Sequence, residues 1–274
     1  MSISHADKQL ISNNKYSKIW RVRSQDSFIE LKSLKTESAP LKEFKKLQHE
    51  YEILTKLTSH DVIKPIAFDT VNSVLTLEDF YGKSLFQVIN EIDSIEKMLI
   101  VAIELARGLG DIHHQQVIHK DINPYNILVS ADFQIKYIDF GIASLLSKET
   151  NQISNPSAIE GTLAYISPEQ TGRLNQPLDY RSDIYSLGVT LYQLFTKQLP
   201  FVFDNPLDLI HAHIAVDPIP PNQINKRIPQ ILSDIILKCM SKSSEERYQG
   251  AFGLKTDLIK CLNQFQARRK IEYF

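Results

Sequence analysis

From Leu41 the apolar residues recur at Leu41, Phe44, Leu47, Tyr51, Leu54 and Leu57. Steps of three and four put them on one face and predict an α-helix, with Pro40 at its start, where proline is tolerated. Two β-favouring runs, 16–22 and 28–34, flank the polar stretch 23–27 and predict a hairpin. Runs 62–67 and 71–77 predict two further strands, the second leading into residues 78–82. Beyond Gly82 the period changes. Residues 84–91 and 94–113 predict helices, the second with apolar residues on several faces, as in a core helix. Strand and loop signals return over 117–142. A second helical block follows over 183–195, 207–214, 228–240 and 250–265, with Pro200, Pro206, Pro218, Pro220 and Pro221 marking loops.

This order predicts an α+β chain forming one domain over 1–265. A small β-rich lobe covers about 10–79, a hinge about 78–82 and a larger α-helical lobe about 83–265; 266–274 is a tail or the start of a linker. A cleft between two lobes is the default ligand site. Composition narrows the classes. With 274 residues, 43% of them hydrophobic, the chain can bury a core without metal or disulfide staples. Lys and Arg number 31 against 32 Asp and Glu, so there is no global basic field, and neither nucleic acid nor an anionic membrane is expected as a partner. No segment reaches about 18 uninterrupted apolar residues, and the first twenty mix His5, Asp7, Lys8 and Lys15. Cys239 and Cys261 lie far apart with no CxxC spacing. A soluble cytoplasmic protein with reduced thiols is expected, without membrane insertion.

The chemistry concentrates in two segments. His119-Lys120-Asp121-Ile122-Asn123-Pro124-Tyr125-Asn126 is followed, 18 residues after Asp121, by Asp139-Phe140-Gly141. Phosphoryl transfer from a nucleotide needs Mg²⁺ on hard oxygen ligands and a carboxylate near the acceptor hydroxyl. Asn126, Asp139 and Asp121 can supply these. Either segment alone would read as an Asx turn; chance poorly explains both at this spacing.

The two segments resemble the HRD-x-x-x-x-N loop and DFG motif of the eukaryotic-type protein kinase family, and the resemblance extends over about 10–265. Gly161-Thr162-Leu163-Ala164-Tyr165-Ile166-Ser167-Pro168-Glu169 is similar to the end of a Ser/Thr kinase activation segment. Asp183-Ile184-Tyr185-Ser186-Leu187-Gly188 is similar to the helix whose Asp braces the catalytic loop, and Arg247 matches the arginine that pairs with Glu169. The resemblance implies a bilobal kinase fold using ATP and Mg²⁺ on a protein substrate. Asp121 would orient the acceptor hydroxyl, Asn126 and Asp139 would hold Mg²⁺, and Thr162 would brace Asp121 and help select Ser or Thr. Lys32, in Ile29-Glu30-Leu31-Lys32, would contact the phosphates. Its partner is Glu50 or Glu52. At 100° per residue Glu50 projects into the arc of Leu47, Leu54 and Leu57 while Glu52 points outward, so Glu50 is chosen. Leu77 matches the gatekeeper, Glu78 to Phe80 would offer backbone groups to adenine, and Leu128 would lie beneath the ring.

Several positions depart from the pattern. All nine glycines fall at Gly82 or later, so the nucleotide loop has Ser12, Asn14 and Ser17 where glycines would stand. Asn tolerates left-handed φ and Ser is small, so closure over the phosphates is still expected, with weaker binding. Glu30 stands where Ala usually roofs the adenine, which also leaves a strand misregister open. Asn123 replaces the lysine aimed at the γ-phosphate, and Lys120 the arginine that reads an activation-loop phosphate, so a switch at Thr150, Ser154 or Ser157 is only weakly expected. His113 and His119 fall at packing positions, and Trp20 is expected in the core. Within the family, residues 168–183 and His-Lys-Asp-Ile-Asn-Pro resemble the kinase domain opening hybrid sensor proteins, which implies sensor and ATPase domains in cis or trans. The expected function is a Ser/Thr protein kinase; the alternative is a pseudokinase, a weak nucleotide-binding module acting through protein contacts.

Overall fold

Five antiparallel strands, β1 (Lys8–Asn13), β2 (Ser17–Ser24), β3 (Ser27–Leu34), β4 (Pro65–Asp69) and β5 (Val74–Glu78), form one sheet in the order β1-β2-β3-β5-β4. The computed structural model describes residues 8–24, 27–35, 39–149, 160–174 and 176–272. The expected hairpin is present, but its strands run further toward the turn, with Ser24 opposite Ser27. β1 has no apolar alternation to announce it; it is an exposed edge strand made by pairing with β2. Val62 and Ile63 are buried, yet β4 starts only at Pro65, and Val71, expected in a strand, is 88% exposed before β5. Trp20 is only half-buried on β2, not a core residue.

Helix α1 (Leu41–Leu54) buries Leu47, Glu50, Ile53 and Leu54. Its expected apolar face starts late, since Leu41 in the first turn is 69% exposed. Phe44 and Tyr51 pack on Phe68 of β4, at 6.0 and 5.7 Å between ring centroids, and seat the helix on the sheet.

The second lobe is helical. Ser84 caps the short α2 (Leu85–Val88), which ends before the expected 91. Ser94 caps α3 (Ile95–His114) by accepting from the Lys97 amide at 3.2 Å. Asp179 caps α4 (Tyr180–Thr196), a central helix buried throughout 182–196. α6 (Pro221–Ile224) and α7 (Gln230–Cys239) pack on it, His213 of α5 (Pro206–Ala215) bonds its Tyr185, and α8 (Ala251–Arg268) packs on α3. A Cβ on Gly188 would sit 2.6 Å from Cys239 Cβ, so this glycine lets α4 and α7 touch. Cys239 and Cys261 are free and buried, and burial pushes both thiols up to about 12.

Short strands connect the lobes' loops to this helical base. β6 (Lys83–Ser84), β8 (Ile127–Val129) and β9 (Ile135–Tyr137) form one sheet; β7 (Val117–Ile118) pairs with β10 (Ser144–Leu145). Residues 119–126 leave β7 and enter β8, and 138–143 leave β9 and enter β10. The two chemistry-bearing segments are thus held side by side. Among the described residues no helix is long and apolar enough to cross a membrane.

Candidate active site

The β2–β3–β5 register places Lys32 opposite Ile19 and Leu75, and Glu30 opposite Arg21 and Leu77. Residues two apart on a strand share a face, so Glu30 and Lys32 point the same way. No misregister is involved. Lys32 Nζ lies 2.6 Å from Glu50 Oε2 and 3.0 Å from Asp139 Oδ1. Glu50 is 1% exposed, whereas Glu52 is exposed and takes a hydrogen bond from Gln48. Burial alone would lower the Lys32 pKa; the Asp139 and Glu50 carboxylates outweigh it and hold the ammonium above the usual lysine range. Lys32 in turn lowers the Asp139 carboxyl. Asp139 has a left-handed φ of 65°, and the next residue, Phe140, is buried against the His119 ring at 4.5 Å. His49 on α1 reaches the Ala143 carbonyl at 2.6 Å, tying that helix to the segment after Gly141.

The loop holding Asp121 is braced from below. Asp183 accepts from the His119 and Lys120 amides, both at 2.8 Å, and pairs with His113 Nε2 at 3.0 Å. Burial works against its charge, but the donors, His113 foremost, outweigh burial and the carboxyl sits below its usual range. These bonds hold Lys120 at a φ of 67°, a strained value for a side-chain-bearing residue. The second histidine, His119, uses Nε2 on the Ile138 carbonyl at 3.1 Å. Lys120 Nζ is ion-paired with Glu149. Thr150, Ser154 and Ser157 lie outside the described residues.

Asp121 is surrounded by donors. The Thr162 amide reaches Oδ1 at 2.9 Å, Asn123 Nδ2 reaches Oδ1 at 3.0 Å, and Asn126 Nδ2 reaches Oδ2 at 2.8 Å. Gly161, at φ +101°, makes the turn that delivers the Thr162 amide. Asn123 is 1% exposed. Its Nδ2 also donates to Thr162 Oγ1 at 3.2 Å, and its amide oxygen accepts from the Tyr125 amide at 2.9 Å. The side chain is spent on positioning Asp121.

A cavity of about 330 Å³ is lined by Lys32, Glu50, Asp121, Asp139 and Thr162, with Asn14 and Ser17 across from them. Asn14 and Ser17 belong to a tight turn that closes without left-handed φ at any of residues 12–17. Asn14 is less available than expected: its amide donates to the Ser17 carbonyl at 2.9 Å and its carbonyl accepts from Lys35. Lys15, inside the nucleotide loop, and Lys46, on α1, also line the cavity; neither is a glycine position of the loop nor a motif residue, so the sequence did not single them out. At the hinge, Leu77 is buried and the Glu78 amide is committed to the Lys64 carbonyl at 3.0 Å; Phe80 is partly buried and Leu128 lies on β8 opposite Ser84. Above them, Arg21 holds Asp79 Oδ1 at 2.7 Å beside Glu30. Burial, then the neighbouring Asp79 carboxylate, push Glu30 up to about 7.

The donor set suits a hard cation shared with phosphates. Asn126 spends its Nδ2 on Asp121, leaving the amide oxygen, and Asp139 adds a carboxylate. Two protein oxygens are what a cation completing its shell with phosphates and water requires.

A charged lysine clamped by two carboxylates thus faces the same cavity as an aspartate ringed by donors. The protein kinase domain model matches residues 7–258, and the chain belongs to that family. It is 33% identical over 242 residues to a probable serine/threonine-protein kinase of Clostridium acetobutylicum, covering 86% of this chain and 36% of the relative. A similar relative in Clostridium perfringens is 34% identical over 245 residues, 88% of this chain and 35% of the relative. The serine/threonine-protein kinase PknB of Mycobacterium tuberculosis is 35% identical over 168 residues, 61% of this chain and 26% of its own length. The chain spans about a third of the length of the first two relatives. It carries a protein kinase domain, of a family that uses ATP and a divalent metal.

Proposed function

We propose that this chain transfers the γ-phosphoryl group of Mg-ATP to Ser or Thr hydroxyls of a protein substrate in the cytoplasm. The observation that carries the reading is the convergence of Lys32, Glu50, Asp139 and Asp121 on one cavity. Lys32, braced by Glu50, positions the phosphates. Asn126 and Asp139 would hold Mg²⁺, which would offset charge on the phosphates. Asp121 accepts the hydroxyl proton of the acceptor as its oxygen attacks the γ-phosphorus and ADP leaves. Asn123 and Thr162 fix the orientation of Asp121. Leu77 and Leu128 enclose the adenine, with backbone groups of 78–80 at its edge, and Asn14 and Ser17 cover the phosphates. The test is single-turnover transfer of labelled γ-phosphate to a generic basic protein, with Lys32→Met in parallel; acid-stable label on the wild type alone supports the reading.

A second reading, a module that binds nucleotide weakly and signals by contact, is favoured by one observation: the Asn14 amide is spent inside the turn and so withheld from a phosphate. Mg-ATP binding with no transfer would select it. We further propose, on the resemblance of residues 168–183, that the domain works with sensor and ATPase modules in cis or in trans, which their co-purification with the chain would test.

A further inference from the structure

Of residues 119–129, Tyr125 alone is exposed, at 50%. Its ring stacks on Phe86, itself 42% exposed, at 4.2 Å between centroids and 24° between planes. Two large rings left bare together on a surface cost solvation unless they are used. Both are rigidly mounted. The Tyr125 amide is held by Asn123 Oδ1 at 2.9 Å and follows Pro124. Phe86 lies in α2 inside the reciprocal Ser84–Gln87 cap, and Ser84 pairs with Leu128 of the same catalytic segment. Beyond Tyr125 lies buried Tyr165, whose phenol is pushed above its usual range by burial and, second, by Tyr125. The platform therefore joins α2 to the Asp121 loop.

We propose that Phe86 and Tyr125 form a specificity platform of the acceptor site, selecting an aromatic or large apolar side chain near the phosphorylated Ser or Thr. The inference rests on the kinase reading above. Distance follows from the chain: Tyr125 is four residues from Asp121, at most about 14 Å when extended. An extended acceptor segment covers that span in about four residues. Chemistry follows from the surround. Of the exposed residues within four positions of Phe86, Lys83 would repel a basic acceptor side chain and Gln87 and Asn90 carry no charge; the acidic Glu91 follows at five positions. A third ring completing the stack gains both buried area and ring contact, which amounts to a preference of roughly threefold to tenfold.

The test is a Ser/Thr-centred peptide library scanned over four residues on each side of the acceptor, with labelled γ-phosphate and the full chain, for wild type, Tyr125→Phe and Tyr125→Glu. Expected is a threefold to tenfold gain in kcat/KM for Phe, Tyr, Trp, Leu or Met over Ala at one position. Tyr125→Phe should keep that gain, and Tyr125→Glu should replace it with a gain for Arg or Lys at the same position. A flat wild-type profile, or a wild-type gain for Arg or Lys, overturns the proposal even if the Glu variant fails to fold. So would an unchanged profile in Tyr125→Glu, or dimerisation that Phe86→Ala abolishes. A flat profile alongside robust transfer to a generic protein removes only the platform; no transfer to any acceptor removes the kinase reading with it.

Discussion

Asn123 Nδ2 lies 3.0 Å from Asp121 Oδ1 and 3.2 Å from Thr162 Oγ1, so an amide in the place of a lysine holds the acceptor-facing carboxylate to the end of the activation segment. Asn123→Ala removes that donor and the acceptor for the Tyr125 amide. A loss of about 1–3 kcal/mol of transition-state stabilisation, roughly fivefold to 150-fold in kcat, is expected. Steady-state kinetics check this. A change confined to the KM for ATP would instead assign Asn123 to the nucleotide.

The Lys120–Glu149 ion pair makes a second prediction. Both side chains are mostly buried, and the carboxylate already occupies the ammonium that an activation-loop phosphate would need. Phosphatase-treated wild type is expected to retain its activity, and Glu149→Gln to lose it several-fold. Initial rates before and after treatment, with Thr150→Ala, Ser154→Ala and Ser157→Ala alongside, decide the matter; loss of most activity on treatment would contradict the pairing argument.

Glu30 has its folded carboxyl raised from 4.5 to about 7. Between those values the folded state holds a proton that the unfolded state has lost, so this group's contribution to stability falls as pH rises through the window. Glu30→Gln removes the dependence. Its melting temperature relative to wild type should therefore rise between pH 5 and pH 8. Thermal melts across that range check the sign, and a constant difference would mean that Glu30 does not titrate there.

Arg247 and Glu169 form a bidentate pair at 2.6 and 2.9 Å, with both side chains sealed from solvent. Removing one partner strands a buried charge. Arg247→Leu should cost about 3–5 kcal/mol in urea unfolding, and the double variant Arg247→Leu/Glu169→Leu less than either single one.

Much of this was legible in the sequence because period and motif agree. The recurrence from Leu41 to Leu57 announces α1, and its arc separates Glu50 from Glu52 before any coordinates do. Capping residues Ser84 and Ser94 mark helix starts within a residue. What stayed hidden depends on partners distant in sequence. β1 exists only as the pair of β2, with a polar sequence of its own. Trp20 is half-buried because the sheet has a wet face at that point, which composition cannot reveal. The bond of Asn123 to Thr162 spans 39 positions, and the stacking of Tyr125 needs Phe86. Lys15 and Lys46 line the cavity through the placement of a turn and a helix.

On the proposed reading Asp121 works at the centre of a phosphoryl-transfer site. The most direct measurement is transfer of labelled γ-phosphate from Mg-ATP to the chain itself and to a generic basic protein, with Asp121→Asn purified and shown folded in parallel. The account predicts acid-stable label on serine or threonine with the wild type and its loss, by on the order of a hundredfold or more, in the variant. Equal labelling by both proteins, or none by a folded wild type, would contradict it.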